Sequence, residues 1–171
     1  MKLSANSPLQ KLMNTMPQQG MVTWIGIRPK RKAPLLSLNE VDAITLKGLA
    51  GDHFSGSPTS KRQLTLIQQE HLDLIASVMQ KPDLTPGDLR RNIVVKGINL
   101  HALKDRKFWI GSVLLEYTGE CHPCSRMEET LGPGGYNAVR GHGGITARIV
   151  KGGAITVGDK VRVAESEEKS E

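Results

Sequence analysis

The sequence predicts a mainly β domain, a closed or partly open β-barrel with a few short helices. Three observations carry that expectation. Gly occurs 18 times and Pro 9 times among 171 residues, so turns are many and long helices few. The last third, GGITARIVKGGAITVGDKVRVAE, is a series of short apolar runs punctuated by Gly-Gly and Gly-Asp, spacing that suits a meander or a small barrel. Strand-like segments do not alternate with full helices, which argues against a doubly wound sheet. A chain of this length buries enough apolar surface for one core without staples.

The elements follow in order. Ser7-Pro8 reads as an N-cap with Pro in the first turn, and Leu9, Leu12, Met13 and Met16 recur at helical spacing, predicting a short amphipathic helix. A first strand is expected over 22–28, ended by Pro29. Further strands are expected over 41–46 and 62–67, separated by GLAGDHFSGSPTS, a stretch too polar for the core. Residues 69–79 place Leu72, Ile75, Val78 and Met79 on one face and stop before Pro82, the best internal helix. Pro86-Gly87 turns the chain into a strand over 92–95, and 107–117 carries the longest strand signal. The organisation is then a lead-in over 1–20, a barrel over 21–164 and an acidic tail over 165–171.

Hydrophobic residues make up 38% and charged residues 23%, the balance of a globular domain. The first twenty residues lack the apolar core of a signal peptide, and no apolar run nears the roughly 20 residues of a membrane span. A cytoplasmic protein is expected, with no membrane partner. The net charge of +6 suggests anionic ligands. Its one dense basic run, Arg28-Pro29-Lys30-Arg31-Lys32, has only Trp24 as a nearby aromatic and reads as a solvated loop, so nucleic-acid binding ranks last.

The two cysteines, Cys121 and Cys124, enclose too small a loop to staple a fold. Thr118 ends a strand, Gly119 permits a turn, and Cys121-His122-Pro123-Cys124 leads into Ser125-Arg126-Met127-Glu128-Glu129, which begins like a helix. Cys124 is then expected at a helix start, where unsatisfied N–H groups and Arg126 pull a thiol below its free value of about 8.5. A thiolate is both a nucleophile and a ligand for soft metals. C-x-x-C by itself also fits half a zinc site or a dithiol pair. His53, His71, His101 and His142 are, however, scattered singly, and the motif comes late, after a run of strands.

Five ordered blocks together resemble the MOSC domain, named for the C-terminal domain of molybdenum cofactor sulfurases. They are GLAGDHF at 48–54, KRQLTLIQQEHL at 61–72, LTPGDLRRNIVVKGINL at 84–100, IGSVLLEYTGECHPC at 110–124 and GGITARIVKGGAITVGDKVRV at 143–163. The resemblance implies a barrel like that inserted in pyruvate kinase, and a functional cysteine that follows Pro, hence Cys124 rather than Cys121. It implies binding of the molybdenum cofactor (molybdopterin), with Cys124 as metal ligand, or carriage of sulfur as a Cys124 persulfide. The alternative is a molybdenum-dependent reductase of N-hydroxylated compounds. No pyridoxal phosphate is expected on this chain. A pyridoxal phosphate-dependent cysteine desulfurase or a separate electron-transfer protein would be its partner.

Molybdopterin brings a phosphate, a flat polar pterin and two sulfurs, and the chain offers candidates for each. Arg90, Arg91 and Asn92 lie between Pro-Gly and an apolar strand, and Arg suits bidentate phosphate contacts. Lys61 and Arg62 repeat that arrangement at another strand start. Asp52-His53 would orient the pocket edge, Ser125 and Arg126 open the helix after Cys124, and Gly143-Gly144 would let backbone approach a ligand. Blander roles compete: an exposed strand-flanking pair for Arg90-Arg91, a turn Asp and solvated His at 52–53, and a tight turn at 143–144. Arg91→Ala is expected to weaken anion binding while the fold survives.

Overall fold

The computed structural model of the chain describes residues 3–54 and 57–165. The acidic tail expected over 165–171 lies outside them except for Glu165. Ser7 caps the first helix, α1 (Pro8–Asn14), by accepting the Gln10 N–H at 3.1 Å. Its apolar side chains are not buried: Leu12 is 72% exposed.

Eleven strands follow among the described residues: β1 (Gly20–Ile27), β2 (Leu36–Leu38), β3 (Glu40–Ile44), β4 (Gly48–Leu49), β5 (Leu64–Gln68), β6 (Ile93–Lys96), β7 (Lys107–Ile110), β8 (Val113–Glu120), β9 (Ile145–Lys151), β10 (Gly153–Thr156) and β11 (Lys160–Val163). Hydrogen bonds run in the order β11, β7, β8, β9, β5, β6, β1, and β1 returns to β11 through Gly20↔Val161, closing a seven-stranded barrel. Inward positions alternate, as Val113, Leu115 and Tyr117 do on β8, and fill the interior with branched side chains around Phe108. β10, β3 and β4 form a separate small sheet that adds Val41, Ala43, Leu49 and Ile155 to that core.

Several differences from the sequence reading have plain causes. The stretch over 107–117 is two strands: Gly111, at φ 55°, and Ser112 make a two-residue turn between Ile110 and Val113, a hairpin. The C-terminal runs are no meander, because β10 pairs with β3 and leaves β9 and β11 apart. The strand over 41–46 stops at Ile44, since Leu46 takes a left-handed turn conformation at φ 57°. GLAGDHFSGSPTS is not wholly outside the core, because Gly48 and Leu49 are β4 and Leu49 is buried.

Among the described residues one βαβ unit is present. α2 (Gln69–Met79) crosses from β5 to β6, which run parallel. Leu72 and Ile75 pack on the outer faces of those strands at Ile67 and Val94, whereas Val78 faces solvent. That cover explains why every residue of β5 is buried and the strand shows no alternation. α3 (Ser125–Leu131) and α4 (Gly135–Val139) complete the same outer layer with Met127, Leu131 and Val139.

Candidate functional site

The candidate site is a cavity of about 380 Å³ where the end of β1, the starts of β5 and β6 and the loop after β8 converge. Its walls hold Arg62, Arg90, Arg91 and Asn92 from the strand starts, Asp52 and His53 from the loop after β4, and Cys124 and Arg126 at the start of α3. Lys61, Ser125, Gly143 and Gly144 do not line it.

Each wall is pinned by backbone chemistry. The Asp52 carboxylate accepts the Arg28 N–H at 2.8 Å, and the Arg28 carbonyl accepts the His53 N–H at 2.6 Å. This double clip holds Arg28 on the cavity wall while Lys30, Arg31 and Lys32, past the Pro29 break, stay in solvent. Arg28 is thus a site residue that sequence reasoning assigned to a solvated loop. The usable signal was its position as the last residue before Pro29, at a strand end rather than within the run. Its Nε is buried without a hydrogen-bond partner, as is the Nε2 of Gln63 on the same wall. Buried donors left this way call for an acceptor.

Asn92 is a splice rather than a ligand arm. Its side-chain oxygen accepts the Thr65 N–H at 3.1 Å and hydroxyl at 3.2 Å, and its amide donates to the Gly26 carbonyl at 3.2 Å. β1, β5 and β6 are tied together at the cavity floor. Lys61 points to solvent and serves through its backbone, where its carbonyl accepts the Thr118 hydroxyl.

The adjacent arginines differ sharply. Arg91 is 3% exposed; its Nε donates to the Gly143 carbonyl at 2.7 Å and its Nη1 to the Leu89 carbonyl. Burial, against the pull of Cys121 and Cys124, lowers its proton affinity. The exposed-pair alternative therefore fails for Arg91, which braces the 143–144 segment. Arg90, left-handed at φ 60°, lies among the other site cations. Its affinity for its proton is lowered by burial and then by Arg28, Arg126 and Arg62, and raised by the Cys124 sulfur. The site is a concentrated positive field with a thiol within it.

Gly143 and Gly144 serve packing, not ligand approach. A Cβ on Gly143 would overlap the Cys121 carbonyl; one on Gly144, at φ 87°, would overlap that of Leu66. The tight seat anchors the cysteine loop, because the Cys121 N–H donates to the Gly144 carbonyl at 2.9 Å.

Cys124 is the N-cap residue of α3, as the sequence predicts, and its thiol is exposed and makes no cap bond. Cys121 is 4% exposed, and burial, partly offset by Arg91 and Arg62, pushes its thiol above its ordinary value. Only one of the two thiols is presented to a ligand.

A family model for the MOSC domain matches residues 50–162, about two thirds of the chain and every cavity wall except the end of β1 and Leu35. The chain belongs to the MOSC domain family. Solved structures share the fold. The YuaD protein of Bacillus subtilis is 21% identical, with a TM-score of 0.74 over 85% of this chain and 96% of that one. YiiM of Geobacillus stearothermophilus is 17% identical, with a TM-score of 0.65 over 85% and 75%. YiiM of Escherichia coli is 15% identical, with a TM-score of 0.64 over 85% and 70%. No curated protein matches the sequence. Among its described residues this MOSC domain contains no helix long and apolar enough to cross a membrane.

One more grouping escaped the sequence. His71, His101 and His142, which read as scattered, converge: the His71 ring is 5.1 Å from that of His142 and 5.9 Å from that of His101. No local pattern signals this, because the three sit on different elements joined only by the fold.

Proposed function

We propose that this MOSC domain binds the molybdenum cofactor in the arginine-lined cavity, with Cys124 as the sulfur at its metal end, and that the same thiol carries sulfane sulfur for metal-sulfur centre assembly. The observation behind this reading is an exposed thiol on a wall shared with Arg28, Arg62, Arg90, Arg91 and Arg126, against one carboxylate, Asp52, already engaged by backbone. The residues fit such a group. The cavity falls in the range of roughly 300–1,000 Å³ common for small-molecule sites. The unpartnered Arg28 Nε and Gln63 Nε2 are donors suited to the polar acceptors of a pterin ring.

Arg62, Arg90 and Arg126 would hold the phosphate, Arg28 and Gln63 would orient the polar ring, and Arg91 and Asn92 keep the walls in place. When bound, the cofactor supplies a metal centre for oxygen-atom or sulfur exchange. In sulfur carriage, the Cys124 thiolate attacks the outer sulfur of a donor persulfide R–S–SH; Cys124–S–SH forms, the donor S–S bond breaks and R–S⁻ leaves. No external oxidant is needed, and the donor matches a pyridoxal phosphate-dependent cysteine desulfurase. Burial keeps Cys121 protonated and out of this exchange. The reductase alternative uses the same pocket and requires a separate electron-transfer protein.

The test is metal and pterin analysis of protein made in a cofactor-competent host, with intact-mass measurement of Cys124. Molybdenum and pterin at near one equivalent, or one added sulfur atom on Cys124, is expected, lost in Cys124→Ser and largely kept in Cys121→Ser. Equal loss in both variants favours a dithiol mechanism; neither group on the wild type refutes the reading.

A further inference from the structure

Outside the cavity lining, His71 in the first turn of α2 packs its ring against both His101, in the short 3-10 turn after β6, and His142, in the turn before β9. The Nδ1 atoms of His71 and His142 are buried and have no hydrogen-bond partner. Two carboxylates face the group: Glu70 on α2, and Glu120 at the end of β8, 3.6 Å from His101 Nδ1. Among the described residues no such cluster is arranged to hold a metal ion. The chemistry assigned to Cys124 uses none of these side chains.

We propose that the three histidines form a proton-operated latch on the loop that carries Cys124: uncharged, the rings pack and hold residues 142–144 in their seat, and protonation drives the rings apart and loosens that seat. The latch regulates the site and rests on the reading of Cys124 as its reactive group.

The connection is short. Gly143 and Gly144 fit against the carbonyls of Cys121 and Leu66 with no spare volume, the Gly144 carbonyl accepts the Cys121 N–H, and the Gly143 carbonyl accepts Arg91 Nε. Displacing His142 pulls at once on the cysteine loop and on the arginine that braces the cavity; close packing transmits such a shift rather than absorbing it.

The charges around His71 oppose a proton there. Glu120 lies against His101, 3.6 Å from its Nδ1, and Glu70, the carboxylate that acts on His71, already accepts the Gly97 N–H at 2.7 Å. Burial, then His142 and His101, hold the His71 imidazole below its ordinary value of 6.5. A base whose folded-state value is lowered stabilises the closed arrangement above its ordinary value, and that stability is lost as pH falls through the lowered one. The latch is closed at neutral pH and opens in mild acid.

Amide hydrogen exchange tests this on the full chain without any ligand, comparing about pH 7.5 with about pH 5.5 after correction for intrinsic rates. Protection of segments 119–126 and 141–146 is expected to fall about tenfold in acid while the 107–117 hairpin is unchanged, a local rather than a global opening. His71→Gln and His101→Gln should each remove most of that difference. His101 is the safer variant, since its side chain is 31% exposed. Constant protection in the wild type, or an undiminished drop in both variants, overturns the latch. Cys124→Ser should keep the response, so failure of the latch and failure of the cofactor reading are told apart.

Discussion

Two apolar clusters divide this molecule, and they are built for different work. The barrel interior draws strands from the whole chain, from Val22 to Val161, and is sealed around Phe108, Leu115 and Ile149. The outer layer is a thin sheet of contacts between α2, α3, α4 and the backs of β5 and β6; its Met127 lines the cavity, and its helix α2 carries His71 of the histidine cluster. Its helices α3 and α4 span 7 and 5 residues and gain little from their own hydrogen bonds, so packing holds them. The interior supplies rigidity; the flank carries chemistry on elements that can yield locally.

The largest effect should separate the two clusters by stability. Phe108→Ala opens a sealed cavity and is expected to destabilise by about 3–5 kcal/mol. Met127→Ala, beside a cavity that lets neighbours relax, should fall near the lower end for such a change, about 2 kcal/mol. Denaturant unfolding followed by far-UV circular dichroism measures both. Equal losses would mean that the flank is as mechanically integral as the barrel, and the comparison would break.

A smaller contrast lies between adjacent residues at the boundary. Arg91→Met leaves the Leu89 and Gly143 carbonyls without their donors and is expected to lose about 1–3 kcal/mol. A loss of that size is compatible with a surviving fold, and it would show that Arg91, buried in the brace, is a structural part as well as a candidate ligand. Arg90→Gly should leave stability level or raised by up to about 1 kcal/mol, since glycine adopts φ 60° without strain. It should nevertheless weaken inorganic phosphate binding about tenfold by calorimetry, the effect of one charged hydrogen bond. If Arg90→Gly unfolds the protein and Arg91→Met only weakens phosphate, the two roles are reversed.

What was legible in the sequence follows the range of the interactions. α2 was placed at its observed ends because 3.6-residue periodicity and Pro82 are local signals, and the Ser7 cap likewise. Barrel closure was expected only as a class, since the Gly20↔Val161 pairing joins residues at opposite ends of the chain and leaves no pattern near either. Cys124 was found at its helix start because Gly119, Pro123 and the following helix formers lie within a few residues. Arg28 was missed because its clip is supplied by Asp52, more than twenty residues on. At Gly143 and Gly144 the sequence marks a need for glycine without saying whether a ligand or the protein's own backbone fills the space, and it is the backbone of Cys121 and Leu66 that does.

The smallest effect probes how the flank is stitched together. The Glu128 carboxylate accepts the Gly134 N–H at 2.7 Å and the Tyr136 N–H at 2.8 Å, which fastens the start of α4 to α3. These backbone bonds hold its carboxyl below the usual value of 4.5. A carboxyl with a lowered folded-state value contributes stability that is present above the ordinary range and lost as pH falls through the folded one. Glu128→Gln keeps one acceptor oxygen but not the charge, so its melting midpoint should lie slightly below that of the wild type at neutral pH. The gap should close once the solution is well below pH 4.5. The stitch is fully solvated, which is why this effect ranks last. It still matters to the site, because the end of α4 holds His142 through the Val139 carbonyl at 2.8 Å. A gap that persisted in acid would show that the side chain's shape, not its charge, joins the two helices, and the flank would then depend on packing as fully as the barrel does.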